Sequence, residues 1–161
     1  MWFGTDEERT ERINDIADGY MSAAALYPYI VDVLKDFDGK CFNRRINEAI
    51  HERSGENVYT DQLGSFIEIY SYSDGQRHTL FRIKKSDDGS KTRINAEECI
   101  ASANEYRINH LQRAEGMKKA LIDGPIIKSK IEELAKKINE LADSLPYEAR
   151  EYYRIPSHIH I

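Results

Sequence analysis

The sequence predicts one α+β domain dominated by helix: an N-terminal three-helix unit, a small antiparallel sheet built on a β-hairpin, and a C-terminal long antiparallel helical hairpin. Apolar residues follow a helical spacing in the first third of the chain, alternate in the middle, and return to helical spacing afterwards. The length of 161 residues is typical of a single domain. We expect the helical unit at 1–55, the β-hairpin region at 56–94, the helical hairpin at 95–145, and a short segment and tail at 146–161.

Capping and breaking residues delimit three helices in the first unit. Thr5-x-x-Glu8 has the form of a capping box, which predicts a helix start. Pro28 ends this helix at the preceding residue and suits the first turn of a second helix. Gly39 and Gly55 follow the predicted ends of the second and third helices. The three apolar stripes are Ile13, Ile16, Ala17, Tyr20 and Ala24; Ile30, Val33, Leu34 and Phe37; and Phe42, Ile46, Ala49 and Ile50.

The middle of the chain predicts a β-hairpin. Residues 66–72 and 77–85 alternate in polarity, and Asp74-Gly75 between them is a common hairpin turn. A second turn signal lies at 87–89, and residues 91–94 are predicted as a short third strand. The sheet is therefore expected to have two or three strands.

The polarity pattern also predicts the register of the hairpin. A two-residue loop at 74–75 would place Ile67 opposite Arg82 and mix apolar and charged side chains on one face. A three-residue loop at 74–76 places Ile67 opposite Ile83. We prefer the second register, because a buried sheet face should be uniformly apolar.

Two long helices are predicted after the sheet. Asn95-x-x-Glu98 is predicted to cap the first helix. Gly124-Pro125 is expected to end that helix and to separate it from the second. The first helix carries Ile100, Ala103, Ile108, Leu111, Ala114, Met117 and Leu121. The second carries a coiled-coil seam of Ile127, Ile131, Leu134, Ile138, Leu141 and Leu145. We expect five of these residues, Ile127, Ile131, Leu134, Ile138 and Leu141, to be buried against residues 100–121 or against a second copy of the chain, as a homodimer.

The negative charge of the chain is concentrated at its N-terminal end. Residues 1–38 carry nine acidic and three basic side chains, whereas residues 39–161 carry 19 acidic and 20 basic ones. An acidic surface repels nucleic acid and attracts a basic partner. The first helix is therefore the candidate partner-binding surface, through Glu7, Glu8, Glu11, Asp15 and Asp18.

The hairpin offers an alternative, nucleic-acid-binding surface. Basic side chains outnumber acidic ones along its second strand and the turn that follows, and aromatic side chains share the predicted outer face. Proteins that bind single strands use such faces to stack bases and hold phosphates. The candidate residues are Tyr70, Tyr72, Arg77, Arg82, Lys84 and Lys85. The other interpretations are a solvated sheet face or a face covered by the long helices.

No motif for catalysis or for a cofactor is recognisable. The chain lacks a Gly-rich phosphate loop ending in Lys-Ser/Thr, a Gly-x-Ser-x-Gly elbow and a His-Glu-x-x-His pair. His158-x-His160 has a metal-like spacing without a nearby acidic or cysteine ligand, and Asp36-x-Asp38-Gly39 lacks the later ligands of a calcium loop. We expect no catalytic, cofactor or metal site. Asp61, Glu68 and Lys84 leave a small metal-dependent nuclease as the third hypothesis.

The cysteines and the hydropathy pattern bear on the compartment. Cys41 and Cys99 form no close-spaced pair, so we interpret them as reduced thiols. The N-terminus has neither the basic region nor the apolar stretch of a secretory signal, and no apolar run is long enough to span a membrane. We expect a cytoplasmic protein without a membrane partner. His110, on a predicted long helix, is expected to form a helix–helix hydrogen bond.

Two segments resemble small accessory proteins of phages and mobile elements. Phe37-Asp38-Gly39-Lys40, followed by Phe42-Asn43 and Arg45, resembles a box seen in such proteins, and residues 145–153 are similar to a closing segment of them. Many of these proteins inhibit host defence systems, and anti-CRISPR proteins among them mostly occlude a surface without chemistry. The resemblance therefore implies a non-enzymatic inhibitor that acts in the host cytoplasm on a protein or nucleoprotein complex, such as a CRISPR effector nuclease.

Overall fold

The computed structural model describes residues 4–86, 91–156 and 159. These ranges form the helices α1 (Asp6–Ala24), α2 (Tyr27–Asp36), α3 (Arg45–Ser54), α4 (Ala96–Asp143) and α5 (Tyr147–Tyr152), and the strands β1 (Tyr59–Leu63), β2 (Phe66–Ser73) and β3 (Gln76–Lys84). The predicted helix-dominated α+β class is confirmed. The chain forms two compact units, 1–118 and 119–161, whose boundary falls within α4. The turn predicted at 87–89 and the His158-x-His160 pair lie outside the described residues.

The three predicted N-terminal helices are confirmed, with the caps that the sequence indicated. Thr5 Oγ1 accepts a hydrogen bond from the amide of Glu8 at 3.1 Å, which satisfies one free donor of α1. Pro28 lies in the first turn of α2. Gly55 follows α3 with a φ of 77°, a left-handed conformation that glycine adopts without strain. Asn43 Oδ1 accepts from the amide of Arg45 at 2.8 Å at the start of α3.

The sheet is antiparallel in the order β1-β2-β3, so β2 is central. The third strand is β1, which was not predicted because Tyr59–Leu63 has no clear apolar alternation. The strand predicted at 91–94 does not join this sheet. It pairs instead with residues 39–42, since the amide of Ile94 donates to the carbonyl of Lys40 at 2.8 Å.

The hairpin combines both predicted registers. Its loop has two residues, Asp74 and Gly75, with φ values of 53° and 74°, so the preferred three-residue loop is wrong. The register beyond it is nevertheless the one predicted, with Ile67 opposite Ile83. A β-bulge between the two parts reconciles them, because one extra residue shifts the alternation of β3 by one position. Leu80 and the next residue are consequently both buried.

The core of the first unit lies between the inner face of the sheet and four helices. It includes Leu26, Ile30, Val33, Leu34, Ile46, Ile50, Ile67, Ile69, Leu80, Phe81, Ile83 and Ile94. Helix α4 contributes Cys99 and Ala103. The stripe predicted on this helix is partly wrong, because Ile108 and Leu111 are exposed, whereas His110 and Ala114 are buried.

The predicted helical hairpin at 95–145 is a single helix, so that prediction is wrong. Helix α4 continues through Gly124 and Pro125 to Asp143. Proline removes one hydrogen bond from a helix, but the lost partner here is the carbonyl of Leu121 on a helix with exposed sides, where water can replace the amide. Residues with good helix propensity lie further along on both sides of Gly124-Pro125, namely Lys118, Lys119, Ala120 and Leu121 before it and Glu132, Glu133, Leu134 and Ala135 after it.

The predicted coiled-coil seam is exposed. Ile127, Ile131, Leu134, Ile138 and Leu141 are each at least 44% exposed. The prediction that these side chains are buried within the chain is therefore wrong. Their burial against a second copy stays a prediction.

Candidate functional site

The acidic residues of α1 lie on one face of the helix. At 100° per residue, the side chains of Glu7, Glu8, Glu11, Asp15 and Asp18 fall within an arc of about 100° and extend over about 16 Å of the axis. All five are exposed. We call these five residues the acidic face. The buried residues of the helix, Ala17, Gly19, Ala23 and Ala24, lie outside this arc.

Most charges of the acidic face have no compensating partner. The side chains of Glu7, Glu8, Glu11 and Asp15 form no hydrogen bond or ion pair with any residue that the structure describes. Asp18 lies 3.6 Å from Lys118, and both side chains are about half exposed or more. The two arginines of α1 do not neutralise this face.

Those two arginines are engaged elsewhere. Arg9 pairs with Asp6, and Arg12 pairs with Asp74 in the hairpin loop. Arg12 therefore links α1 to the turn between β2 and β3. The acidic face thus keeps its negative charge on the exposed side of α1.

The outer face of the sheet carries a tyrosine cluster, Tyr59, Tyr70 and Tyr72. Their ring centroids lie 5.6–5.7 Å apart. The guanidinium of Arg77 stacks on Tyr70, 3.6 Å from the ring centroid. Tyr72 is 53% exposed. This predicted face is therefore neither core nor covered by α4 at these positions.

A buried carboxylate lies beside the tyrosine cluster. The side chain of Glu68 accepts hydrogen bonds from Arg77 at 2.7 Å, Thr79 at 2.9 Å and Arg82 at 3.1 Å. Burial alone raises the pKa of Glu68, but the three hydrogen bonds and the positive charge of Arg77 outweigh it and hold the pKa below its usual value. The carboxylate of Asp61 also pairs with Arg77, at 3.1 Å.

The predicted nucleic-acid-binding residues therefore differ in whether their positive charge is free to bind phosphates. Arg77 and Arg82 are paired with carboxylates, which cancels much of the positive charge that would hold phosphates. Lys84 is exposed at the end of β3, and Lys85 follows the strand, with its amide bonded to the carbonyl of Ser65 at 2.9 Å. The sequence reasoning missed Tyr59, because β1 itself was missed.

The nuclease-like trio is not arranged around a metal. Arg77 lies between Asp61 and Glu68 and binds both carboxylates. Lys84 makes no ion pair with either of them in the parts of the chain that are described. Within those parts, no group of three or more His, Cys, Asp or Glu side chains could hold a metal ion.

Two buried histidines face each other between α1, β3 and α4. The ring centroids of His78 and His110 lie 5.6 Å apart, and Tyr20 packs on both rings. His110 Nε2 lies 2.7 Å from the carbonyl of Thr79, so its hydrogen bond is to a strand and not to a helix as predicted. Burial lowers the pKa of both histidines, and for His78 the nearby His110 lowers it further.

The segments that carry the phage-protein resemblance have structural contacts. Asp38 Oδ1 accepts from the amide of Ala96 at 2.9 Å, so it caps α4. Gly39 has a φ of 77°, and its amide donates to the carbonyl of Ile94 at 2.8 Å. In the closing segment, Arg150 lies 3.6 Å from Asp143, while Tyr152 is exposed.

Searches for similar proteins give no assignment. Neither family models, nor curated protein sequences, nor solved structures match this chain. Among the residues that the structure describes, no helix combines the length and the apolar character needed to cross a membrane.

Proposed function

We propose that this chain is a non-enzymatic interaction protein that binds a basic surface of a partner through its acidic face. The observation that carries the proposal is the group of four carboxylates without a partner among the described residues, Glu7, Glu8, Glu11 and Asp15, on one exposed side of a capped helix. Unpaired like charges raise the energy of the free protein and are relieved by a surface of opposite charge. Such a patch also accelerates encounter with that surface.

The class of partner follows from the resemblance to phage and mobile-element accessory proteins. In this proposal the partner is a host defence complex, such as a CRISPR effector nuclease, in the host cytoplasm. Its nucleic-acid-contacting surface is basic, because it must bind phosphates. A row of carboxylates about 16 Å long would compete with nucleic acid for that surface, and inhibition would result from occlusion alone.

A nucleic-acid-binding accessory protein is the second candidate. It is favoured by the tyrosine cluster, whose exposed rings offer a stacking platform for bases. It is weakened by Glu68 and Asp61, which neutralise the neighbouring arginines. A metal-dependent nuclease has less support, since Arg77 occupies the two carboxylates that such a site would use.

The test compares two variants that lose the same number of negative charges. E11Q/D15N/D18N removes three of the five charges of the acidic face, and E48Q/E52Q/E56Q removes three carboxylates of α3 and the loop after it. Each protein is added to a panel of purified CRISPR effector complexes, and cleavage of target DNA is measured. We expect the wild type and the α3 variant to inhibit one or more effectors. The acidic-face variant should associate at least tenfold more slowly and with a flatter salt dependence.

The same preparations test the second candidate. Binding of labelled single-stranded DNA and RNA is measured with the wild type and with Y72A/K84Q/K85Q. Salt-dependent binding that these strand substitutions abolish, without inhibition of any effector, would overturn the proposal in favour of nucleic-acid binding. Equal inhibition by both charge variants would also overturn it, because the acidic face would then have no role.

A further inference from the structure

The second unit exposes an apolar stripe along the C-terminal part of α4. The seam, which we define as Ile127, Ile131, Leu134, Ile138 and Leu141, consists entirely of large aliphatic side chains. Leu134 is 58% exposed and Leu141 70%. Contiguous apolar patches on a protein surface mark interaction sites, because exposing them to water costs free energy.

The seam continues beside a segment of the chain that is already docked. The side-chain amide of Asn139 binds the backbone of Ile159 twice, donating to its carbonyl at 3.1 Å and accepting from its amide at 2.8 Å. Ala135 and Ala142, on that side of the helix, are buried. Ile159 is thus held beside the seam, and the seam itself is exposed.

We propose that a second copy of this chain covers the seam, and that the two α4 helices form a parallel two-stranded coiled coil. The seam residues recur at alternating steps of four and three, which defines the heptad positions d, a, d, a and d. Position a is therefore Ile at 131 and 138, and position d is Ile at 127 and Leu at 134 and 141. β-Branched residues at a with leucine at d favour parallel dimers over larger assemblies.

The charges beside the seam fit the parallel arrangement. In a parallel pair, position g of one helix faces position e of the next heptad on the other helix. Asp123 at g then faces Lys128 of the second copy, which gives two opposite-charge pairs in a symmetric dimer. Lys130 and Lys137, also at g, face the uncharged Ala135 and Ala142. No like charges meet at these g and e positions.

The antiparallel alternative lacks this complementarity. When two seams run in opposite directions and are centred on Leu134, position g of one helix faces position g of the other. Lys130 of each copy then lies opposite Lys137 of the other, which places like charges beside the seam. The self-associating surface shares no residue with the acidic face, so the dimer does not depend on the proposed function.

The mass of the full chain in solution tests the dimer. We expect sedimentation velocity at about 50 μM to give twice the chain mass of 18.6 kDa, with dissociation on dilution. L134Q/L141Q should be monomeric, with unchanged helix content by circular dichroism. I122Q/I126Q removes two isoleucines that are 72% and 56% exposed but lie off the seam, so it should remain dimeric. A monomeric wild type, or a dimer that survives L134Q/L141Q, would overturn the proposal.

Cross-linking and charge exchange test the orientation. In a parallel dimer, Leu141→Cys should form a disulfide between the two substituted positions, with the cross-linked peptide identified by mass spectrometry. A mixture of Ile127→Cys and Leu141→Cys that cross-links only between the two different sites would instead demonstrate antiparallel pairing and refute the proposed register. Lys128→Glu should weaken the dimer about tenfold by creating two like-charge pairs, and Asp123→Lys in the same chain should restore it.

Discussion

Asp38 and Ala96 are joined by a hydrogen bond across 58 positions of sequence, in which the carboxylate of Asp38 accepts from the first amide of α4 at 2.9 Å. Asn95 accepts from the amide of Glu98 at 3.1 Å in the same turn. Two free donors of α4 are thereby satisfied, one locally and one by a residue that follows α2. The start of the longest helix is consequently attached to the N-terminal helical unit.

Replacing Asp38 with Ala should lower the free energy of unfolding by about 1 kcal/mol, the usual cost of a lost cap. Asp38→Asn keeps an acceptor oxygen and should cost less. Asp36→Ala is the control, because Asp36 is exposed and pairs with Arg53 at the surface; we expect a change below about 0.5 kcal/mol. Urea denaturation followed by circular dichroism measures all three, and equal effects of D36A and D38A would contradict the capping role.

Replacing Glu68 with Gln should destabilise the protein by about 1–3 kcal/mol at neutral pH, because two arginines lose their buried carboxylate. The pKa of Glu68 is held below its ordinary value of 4.5, so its ionised form stabilises the fold above pH 4.5. This contribution is lost as the pH falls through the lowered pKa. The wild type should therefore lose its advantage over E68Q in acid. Urea titrations at pH 7 and pH 3 measure the difference, and a constant gap between the two proteins would refute the assignment.

Acidification should also destabilise the protein through its buried histidines. Burial lowers the pKa of His78 and His110, so below about pH 6.5 the unfolded chain binds protons that the folded chain does not. Stability should fall by up to about 1.4 kcal/mol per pH unit for each histidine until the folded pKa is reached. His78→Phe should reduce this slope between pH 7 and pH 5.5. An unaltered slope in H78F would be evidence against the buried pair as its source.

Leucines at two sites should respond differently to truncation. Leu34 is fully buried, so Leu34→Ala should cost about 2–5 kcal/mol at any protein concentration. Leu134 is exposed in the single chain, so Leu134→Ala should cost less than about 0.5 kcal/mol when the protein is dilute and monomeric. At concentrations where the proposed dimer forms, its cost should rise, because the side chain is then buried. Thermal melting over a hundredfold concentration range measures both, and a large, concentration-independent cost at Leu134 would mean that it packs within the chain.

The candidate surfaces were predictable to different degrees. The acidic face could be located because its five carboxylates lie close together in sequence on a helix whose cap, Thr5, is also local. The tyrosine cluster could be predicted only in part, since Tyr59 is brought to Tyr70 by strand pairing. The neutralisation of Arg82 by Glu68 likewise depends on the register of two strands.

The sequence by itself determined the local features of this protein: the caps at Thr5 and Asn95, the Asp74-Gly75 turn and the periodicity of the N-terminal helices. These features depend on interactions within a few residues, so a short stretch of chain encodes each of them.

Only the tertiary structure decided the rest. The bulge beside Leu80, the strand partner of Tyr59–Leu63 and the capping of α4 by Asp38 all depend on which distant segments meet. The continuation of α4 past Pro125 depends on whether packing elsewhere in the protein favours another conformation of that segment over helix. The physical reason is that pairing and burial are decided by the free energy of the whole packed arrangement, which can override a local preference of about 1–3 kcal/mol.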